Sequence, residues 1–122
     1  MSIANYAELK ILDHATGRAS WTAPSGVYLQ LHLGDPGENG TANTAAETTR
    51  RQVSWSAASS GSISSSGVVE WTNVAASETY SHWSMWDAST SGNCLWTGAL
   101  STAASVTAGD TFQITSISLS LD

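Results

Sequence analysis

The clearest pattern along the chain is the strict alternation from Val27 to Leu33, with Val27, Leu29, Leu31 and Leu33 on one side and Tyr28, Gln30 and His32 on the other. A period of two marks a strand with one face against a core and the other face outward. Shorter alternating runs recur through the rest of the chain: Arg51-Val53-Trp55, Val69-Trp71, Tyr80 to Trp86, Cys94-Leu95-Trp96, Phe112-Ile114 and Ile117-Leu119-Leu121. Clusters of Gly, Ser, Asn and Thr separate them, as turns do. The serine-rich stretch Ala57 to Ser66 lies between two such runs and reads as a turn with a weak strand around Ile63. About seven to eight strands result, with no crossover of helical period between them, so the expected fold is all-β: a single β-sandwich or jelly-roll-like domain over residues 1–122.

One segment has a different period. Tyr6, Leu9 and Leu12 stand at helical spacing with Ile11 nearby, which predicts a short helix near residues 6–14 within an N-terminal arm spanning 1–20. Asn5 and Glu8 have the spacing of a capping box, and Gly17 is a stop signal. So short a helix does not hold alone, and its apolar stripe must dock on its own subunit or on a neighbour. After the first strand, Gly34-Asp35-Pro36-Gly37-Glu38-Asn39-Gly40 and the small polar residues that follow predict a long loop over 34–49. Loops of that length are characteristically functional or interfacial.

Composition narrows the chemistry. Only 11% of residues are charged, against about 25% in typical soluble domains, and 21 Ser and 14 Thr make the polar surface hydroxyl-rich. The net charge is −6, and all four cations (Lys10, Arg18, Arg50, Arg51) precede residue 52. Phosphate neutralisation needs clustered cations, so nucleic acid is not an expected partner. No apolar run is long enough to insert in a membrane, and the N-terminus lacks the pattern of a signal peptide, so the expected place of synthesis is a cytosol. Cys94 stands alone, which leaves no intrachain disulfide.

Candidate catalytic and metal groups are sparse. His14, His32 and His82 occur among many serines, but no Gly-x-Ser-x-Gly elbow accompanies them, so no enzymatic activity and no cofactor are expected. Alternation puts His32 on the outward face of its strand, and His82 on one face with Tyr80 and Trp86 as a surface or interface residue. Asp35, Glu38 and Asn39 could offer oxygens to calcium, yet two carboxylates without EF-hand spacing read better as a solvated turn. The six tryptophans are harder to place. The Tyr80–Trp86 run is bulky on both faces, so Trp86 serves a sugar platform or a subunit interface, unless Trp83 fills the core and Trp86 lies under a loop.

The order of several segments resembles a known family. Asn5-Tyr6-Ala7-Glu8-Leu9-Lys10-Ile11-Leu12-Asp13-His14, the strand running into Gly34-Asp35-Pro36-Gly37, Arg51-Gln52-Val53, His82 to Asp87-Ala88, Gly92-Asn93-Cys94-Leu95-Trp96-Thr97-Gly98-Ala99-Leu100, Ala108-Gly109-Asp110-Thr111-Phe112 and the terminal Leu119-Ser120-Leu121-Asp122 carry the likeness. Together they are similar to small virion proteins of tailed phages and prophages, usually labelled phage tail-fibre proteins. The resemblance covers nearly the whole chain and implies a structural role in a bacteriophage virion, assembled in the cytoplasm of the bacterial host.

Two roles follow as expectations. A chain without a long repetitive shaft suits a capsid decoration (cement) protein on the outer surface of the head, with the major capsid protein as partner. The alternative is a tail-fibre or adhesin module that contacts host surface glycans. Either role favours a homo-oligomer, with trimers the natural choice on a lattice with threefold axes. The partner-binding candidates are Tyr6, Leu9 and Leu12 on the helix, Asp35 and Glu38 in the long loop, the Arg50-Arg51 pair, and Trp86.

Overall fold

The computed structural model describes residues 1–121, in the order β1 (Ser2–Ile3), α1 (Asn5–Ala15), β2 (Val27–His32), β3 (Arg51–Val53), β4 (Ser62–Ser64), β5 (Val69–Trp71), β6 (Glu78–Trp86), β7 (Cys94–Val106), β8 (Phe112–Ile114) and β9 (Ser118–Ser120). Strands form where alternation predicts them, including the weak one at Ile63. The short β1 and the long continuation of β7 to Val106 have no such signal, because small residues from Ala99 onward carry little hydrophobic contrast.

One layer is a five-stranded antiparallel sheet in the order β1-β7-β6-β2-β3. The other is built from β4 paired with β9 and β5 paired with β8. These two pairs form one interrupted ribbon, since between them Ser65 donates its backbone N–H to Ile117 at 2.8 Å. The chain leaving β3 joins this ribbon, with Ser56 bonding Ser64 and Ser66 bonding Ser54. The arrangement is the expected sandwich, with its core between the layers: Leu29, Leu31, Val53, Trp83 and Met85 from the large sheet meet Val69, Trp71, Ile114, Ile117 and Leu119 from the ribbon.

Register explains how the large side chains fit. Leu31, Trp83 and Gly98 lie side by side across β2, β6 and β7. Gly98 is what lets the Trp83 ring lie flat across its neighbour, because a Cβ there would overlap the ring. Tyr80 corrects the simple alternation. The β6–β7 pairing jumps from His82–Ala99 to Tyr80–Ala104, and this irregularity turns Tyr80 into the core with Trp83 and away from His82 and Trp86. Its ring lies edge-on to Phe112 at 5.2 Å, and burial pushes its hydroxyl pKa up to about 12.

The helix also departs from expectation. Ala4, not Asn5, is the N-cap, and no side chain caps the end. Ala4 serves because its N–H is tied to Leu95 at 2.9 Å, which anchors the helix start to β7 without a side-chain cap. At the other end Gly17 adopts φ +76° and bonds back to His14, as the stop signal predicts. The face that docks on the body is the Ala4–Ala7 side with Ile11, whereas Leu9 and Leu12 point outward at 66% and 62% exposure. Small residues allow the helix to approach the sheet closely, and the larger stripe is left for something else.

Replacing Gly98 by Ala is expected to destabilise the domain by about 1–3 kcal/mol through overpacking against Trp83, whereas Leu9→Ala at the exposed helix face should change stability little. The urea midpoint of each variant checks the pair.

Candidate functional site

The second face of the large sheet holds Trp86 together with His32 and His82. Across β2, β6 and β7 it carries Tyr28, Trp86 and Cys94 in one row, Gln30, Ser84 and Thr97 in the next, and His32, His82 and Ala99 in a third. Alternation predicts these as outward, yet Gln30, His32, Ser84 and Trp86 are buried. The long loop covers them. Ala42 and Asn43 lie over His32, and Gly40, at φ +72°, sits so close to Trp86 and Cys94 that a Cβ would stand 2.6 Å from the Cys94 sulfur. Trp86 therefore lies under a loop while Trp83 fills the core.

A single hydrogen-bonded line runs through this buried face. His32 Nδ1 is 2.8 Å from the Ala42 carbonyl, which can only accept, so Nδ1 carries the proton. Nε2 then accepts from the Ser84 hydroxyl at 2.7 Å, and Ser84 Oγ accepts from Trp86 Nε1 at 2.7 Å. The donors along the line all point the same way, from Trp86 through Ser84 and His32 to the Ala42 carbonyl. Desolvation holds the His32 pKa below its ordinary value, opposed in part by its bond to the Ala42 carbonyl and aided by the Arg50 guanidinium. The sequence reading of His32 as a surface residue is thus overturned, because the loop supplies the cover that a two-layer fold does not. His82 remains half-exposed with its Nδ1 2.8 Å from Ser81 Oγ.

Arg50 locks the loop's far end. Its guanidinium lies 4.0 Å from the centre of the Trp86 ring, and it donates to Gln30 Oε1 at 3.1 Å and to the carbonyls of Ala88 at 2.9 Å and Ser91 at 2.6 Å. It pairs with neither Glu47 nor Glu70. Glu47 is buried and accepts from Thr49 and Ala75, while Glu78 accepts from Ala46, so carboxylates hold the loop's second half by its backbone. Arg51 shares a face of β3 with Val53, and its buried Nε has no partner.

The remaining candidates divide between two places. Tyr6, Asn39, Thr41, Trp86, Asn93 and Cys94 surround a cleft of about 240 Å³ between the helix, the loop and the β6–β7 turn. Tyr6 is edge-on to Trp21 at 6.3 Å, with Lys10 over it at 5.5 Å. Glu38 borders this region through a 3.4 Å bond from Ser2 Oγ, and Asp35 caps its own turn by accepting from Gly37 at 2.9 Å. Leu9 and Leu12 lie apart from the cleft on the outer helix face. The structure thus gathers Tyr6, Glu38, Arg50 and Trp86 and leaves Leu9, Leu12 and Arg51 elsewhere.

Two further depressions escaped the sequence reading. An apolar groove lined by Trp21, Trp55, Ile63, Trp96 and Leu119 runs beside the helix. A hydroxyl-lined cleft of about 390 Å³ opens where β7 faces β8 and the segment leading to β9. The dense Ser/Thr spacing in both segments was its only sequence signal. Cys94 is no reactive group, since burial pushes its thiol pKa up to about 11. Among the described residues no cluster of three or more His, Cys, Asp or Glu could hold a metal, and no helix is long and apolar enough to cross a membrane.

The chain is a small β-sandwich with a pinned loop, few charges and a hydroxyl-rich surface. Residues 2–122 match the family model described as Podophage GP4 fiber I protein gp80, and the chain belongs to this family. It is a phage fibre-type protein, as the resemblance implied, and hence a virion structural protein. Comparison with curated proteins gives no match.

Because folded His32 resists protonation, the unfolded chain binds more protons below its ordinary pKa of about 6.5. The stability contribution of neutral His32 is therefore complete above about pH 6.5 and declines as pH falls from there toward the lowered folded value. Denaturation midpoints measured from pH 8 to 5 should show this loss, and His32→Gln should flatten it. Arg50→Ala, which removes the cation from Trp86 and leaves two carbonyls unpaired, should cost about 1–3 kcal/mol at any pH in that range.

Proposed function

We propose that this protein is a fibre module on the tail of a phage particle that contacts the surface of the host cell. The observation that carries this reading is the match to a fibre family across residues 2–122. It favours the fibre alternative over decoration of the head. The charge-poor, hydroxyl-rich surface agrees with it, because such surfaces meet neutral glycans by hydrogen bonding without needing ion pairs. Its partners are then other tail subunits and further copies of itself, and assembly proceeds in the host cytoplasm.

The exposed Leu9–Leu12 face of the helix supports attachment to a neighbouring subunit, since nothing among the described residues covers it. Sequence reasoning places the attachment surface on the helix around Tyr6 to Leu12, the Gly34 to Gly40 loop and the Arg50-Arg51 pair. The geometry shifts the weight to the leucines, because Arg50 already uses its Nε and Nη1 donors within the chain. The role is non-catalytic: Ser84 and His32 have the contact of a nucleophile and its base, but both are fully buried, and the serine oxygen already accepts from Trp86.

Labelling of intact particles with an antibody against this chain should mark the tail. Labels spread over the head would reverse the reading and restore the decoration role. Replacing Leu9 and Leu12 by Glu should leave the isolated domain folded with an unchanged melting temperature while lowering its occupancy on particles. Wild-type occupancy would place the attachment elsewhere on the surface.

A further inference from the structure

The cleft between β7 and β8 differs from the other depressions in its chemistry. Its walls are Gly98–Thr102 on one side and Phe112–Ser118 on the other, with Trp83 and Met1 at the floor and end. No side chain on these walls carries a charge. Ser101, Thr102, Thr115 and Ser116 present exposed hydroxyls. Phe112 is half-buried, packed on its inner side against Trp71 and Tyr80, and its remaining surface faces the cleft. β1 pairs with β7 at Trp96 and Thr97, so from Gly98 onward no strand among the described residues pairs with the cleft-side edge of β7. The Trp83 ring, packed flat against Gly98 and buried in the core, closes the floor.

We propose that this cleft is a binding site for a neutral saccharide. The inference rests on the fibre reading for its biological sense, but its chemistry stands on the cleft alone. A sugar ring offers hydroxyls around its rim and C–H groups on its faces. The four hydroxyls and the free β7 edge answer the rim, and Phe112 with Leu100 answers the C–H face. The volume of about 390 Å³ falls at the lower end of the range for small-molecule sites. No cationic side chain lines the cleft, and the ionic group among its lining residues is the Met1 α-ammonium at one end, so the walls themselves answer a neutral ring.

The other depressions do not match this chemistry. In the Tyr6–Trp86 cleft one face of Trp86 is occupied by Arg50, and the Asn93 amide is tied to Asp87 at 3.1 Å. The tryptophan-lined groove offers almost no polar partner for a hydroxyl.

The test is a titration of the ¹⁵N-labelled full chain with maltose, lactose, cellobiose and di-N-acetylchitobiose, with 3′-sialyllactose as the acidic control. At least one neutral sugar should produce saturable shifts at Leu100–Thr102, Thr115–Ser118 and the Trp83 indole, and 3′-sialyllactose should bind no more tightly than lactose. Thr102→Glu and Thr115→Glu, both at exposed positions, should keep the melting temperature and weaken binding by about tenfold or more. Silence with every neutral sugar, shifts confined to Tyr6 and Trp86, or unchanged affinity in both variants would overturn the site. Concentration-dependent broadening without sugar, abolished by Thr102→Glu, would also overturn it and mark the cleft as an interface between copies. Particle labelling separates this proposal from the fibre reading: a tail location without a saccharide response removes only the site, and a saccharide response from a head-bound protein removes only the fibre role.

Discussion

A sheet buried on both faces is penalised for each polar group it takes out of water unpaired, and the architecture of this protein follows from how most of them are satisfied. The inner face of the large sheet is apolar and closes on the ribbon of the second layer. The outer face carries Gln30, His32, Ser84 and Trp86, whose polar atoms would each be costly to bury unpaired. The Ala42–His32–Ser84–Trp86 line and the Arg50 fork pair them almost completely. Since three of the partners are carbonyls of loop or turn segments, the same bonds that satisfy the sheet also fix the loop's path. Loop and sheet are therefore one cooperative unit, and neither is expected to order without the other.

This arrangement suits a chain with few charges. Surface ion pairs contribute little to a domain in any case, and here the ion pair among the described residues is the exposed Arg18–Asp13 contact beside the helix end. Burial and backbone ladders carry the fold instead, which leaves long stretches of surface free of charge. The region from Ala88 to Gly109 has no charged side chain. A chain with net charge −6 repels its own copies least across such a surface, and the hydroxyl-lined cleft opens within it. The outward Leu9 and Leu12 lie on a different part of the molecule, so attachment and recognition can occupy separate surfaces of one small domain.

Particular residues show what reading by periodicity can reach. Val27, Leu29 and Leu31 alternate because one face of β2 meets a core, and that contrast survives in the sequence. His32 looks the same as any outward residue in that pattern, since alternation reports which side a residue is on and not what lies above it. Tyr80 fails for a related reason: an irregular pairing with β7 reverses its side, and the extra residues sit in the partner strand, far along the chain. On the helix, large residues drew attention to Leu9 and Leu12, whereas close packing selected Ala4 and Ala7, whose small size gives no hydrophobic signal. The two explanations left open for Trp83 and Trp86 needed the loop's position to decide between them.

The amino-acid sequence by itself determined the all-β class, the strands with strong alternation, the single short helix and its glycine stop, the charge-poor surface and the likeness to phage fibre proteins. Each of these depends on residues near one another in the chain or on composition summed over it. Tertiary structure alone decided that the second face of the sheet is buried, that Arg50 clamps the loop from inside, and that a hydroxyl-lined cleft forms between β7 and β8. Those features join segments separated by up to about half the chain, and which distant segments meet is settled by the total burial and hydrogen bonding of the fold, a sum that no local pattern of residues contains.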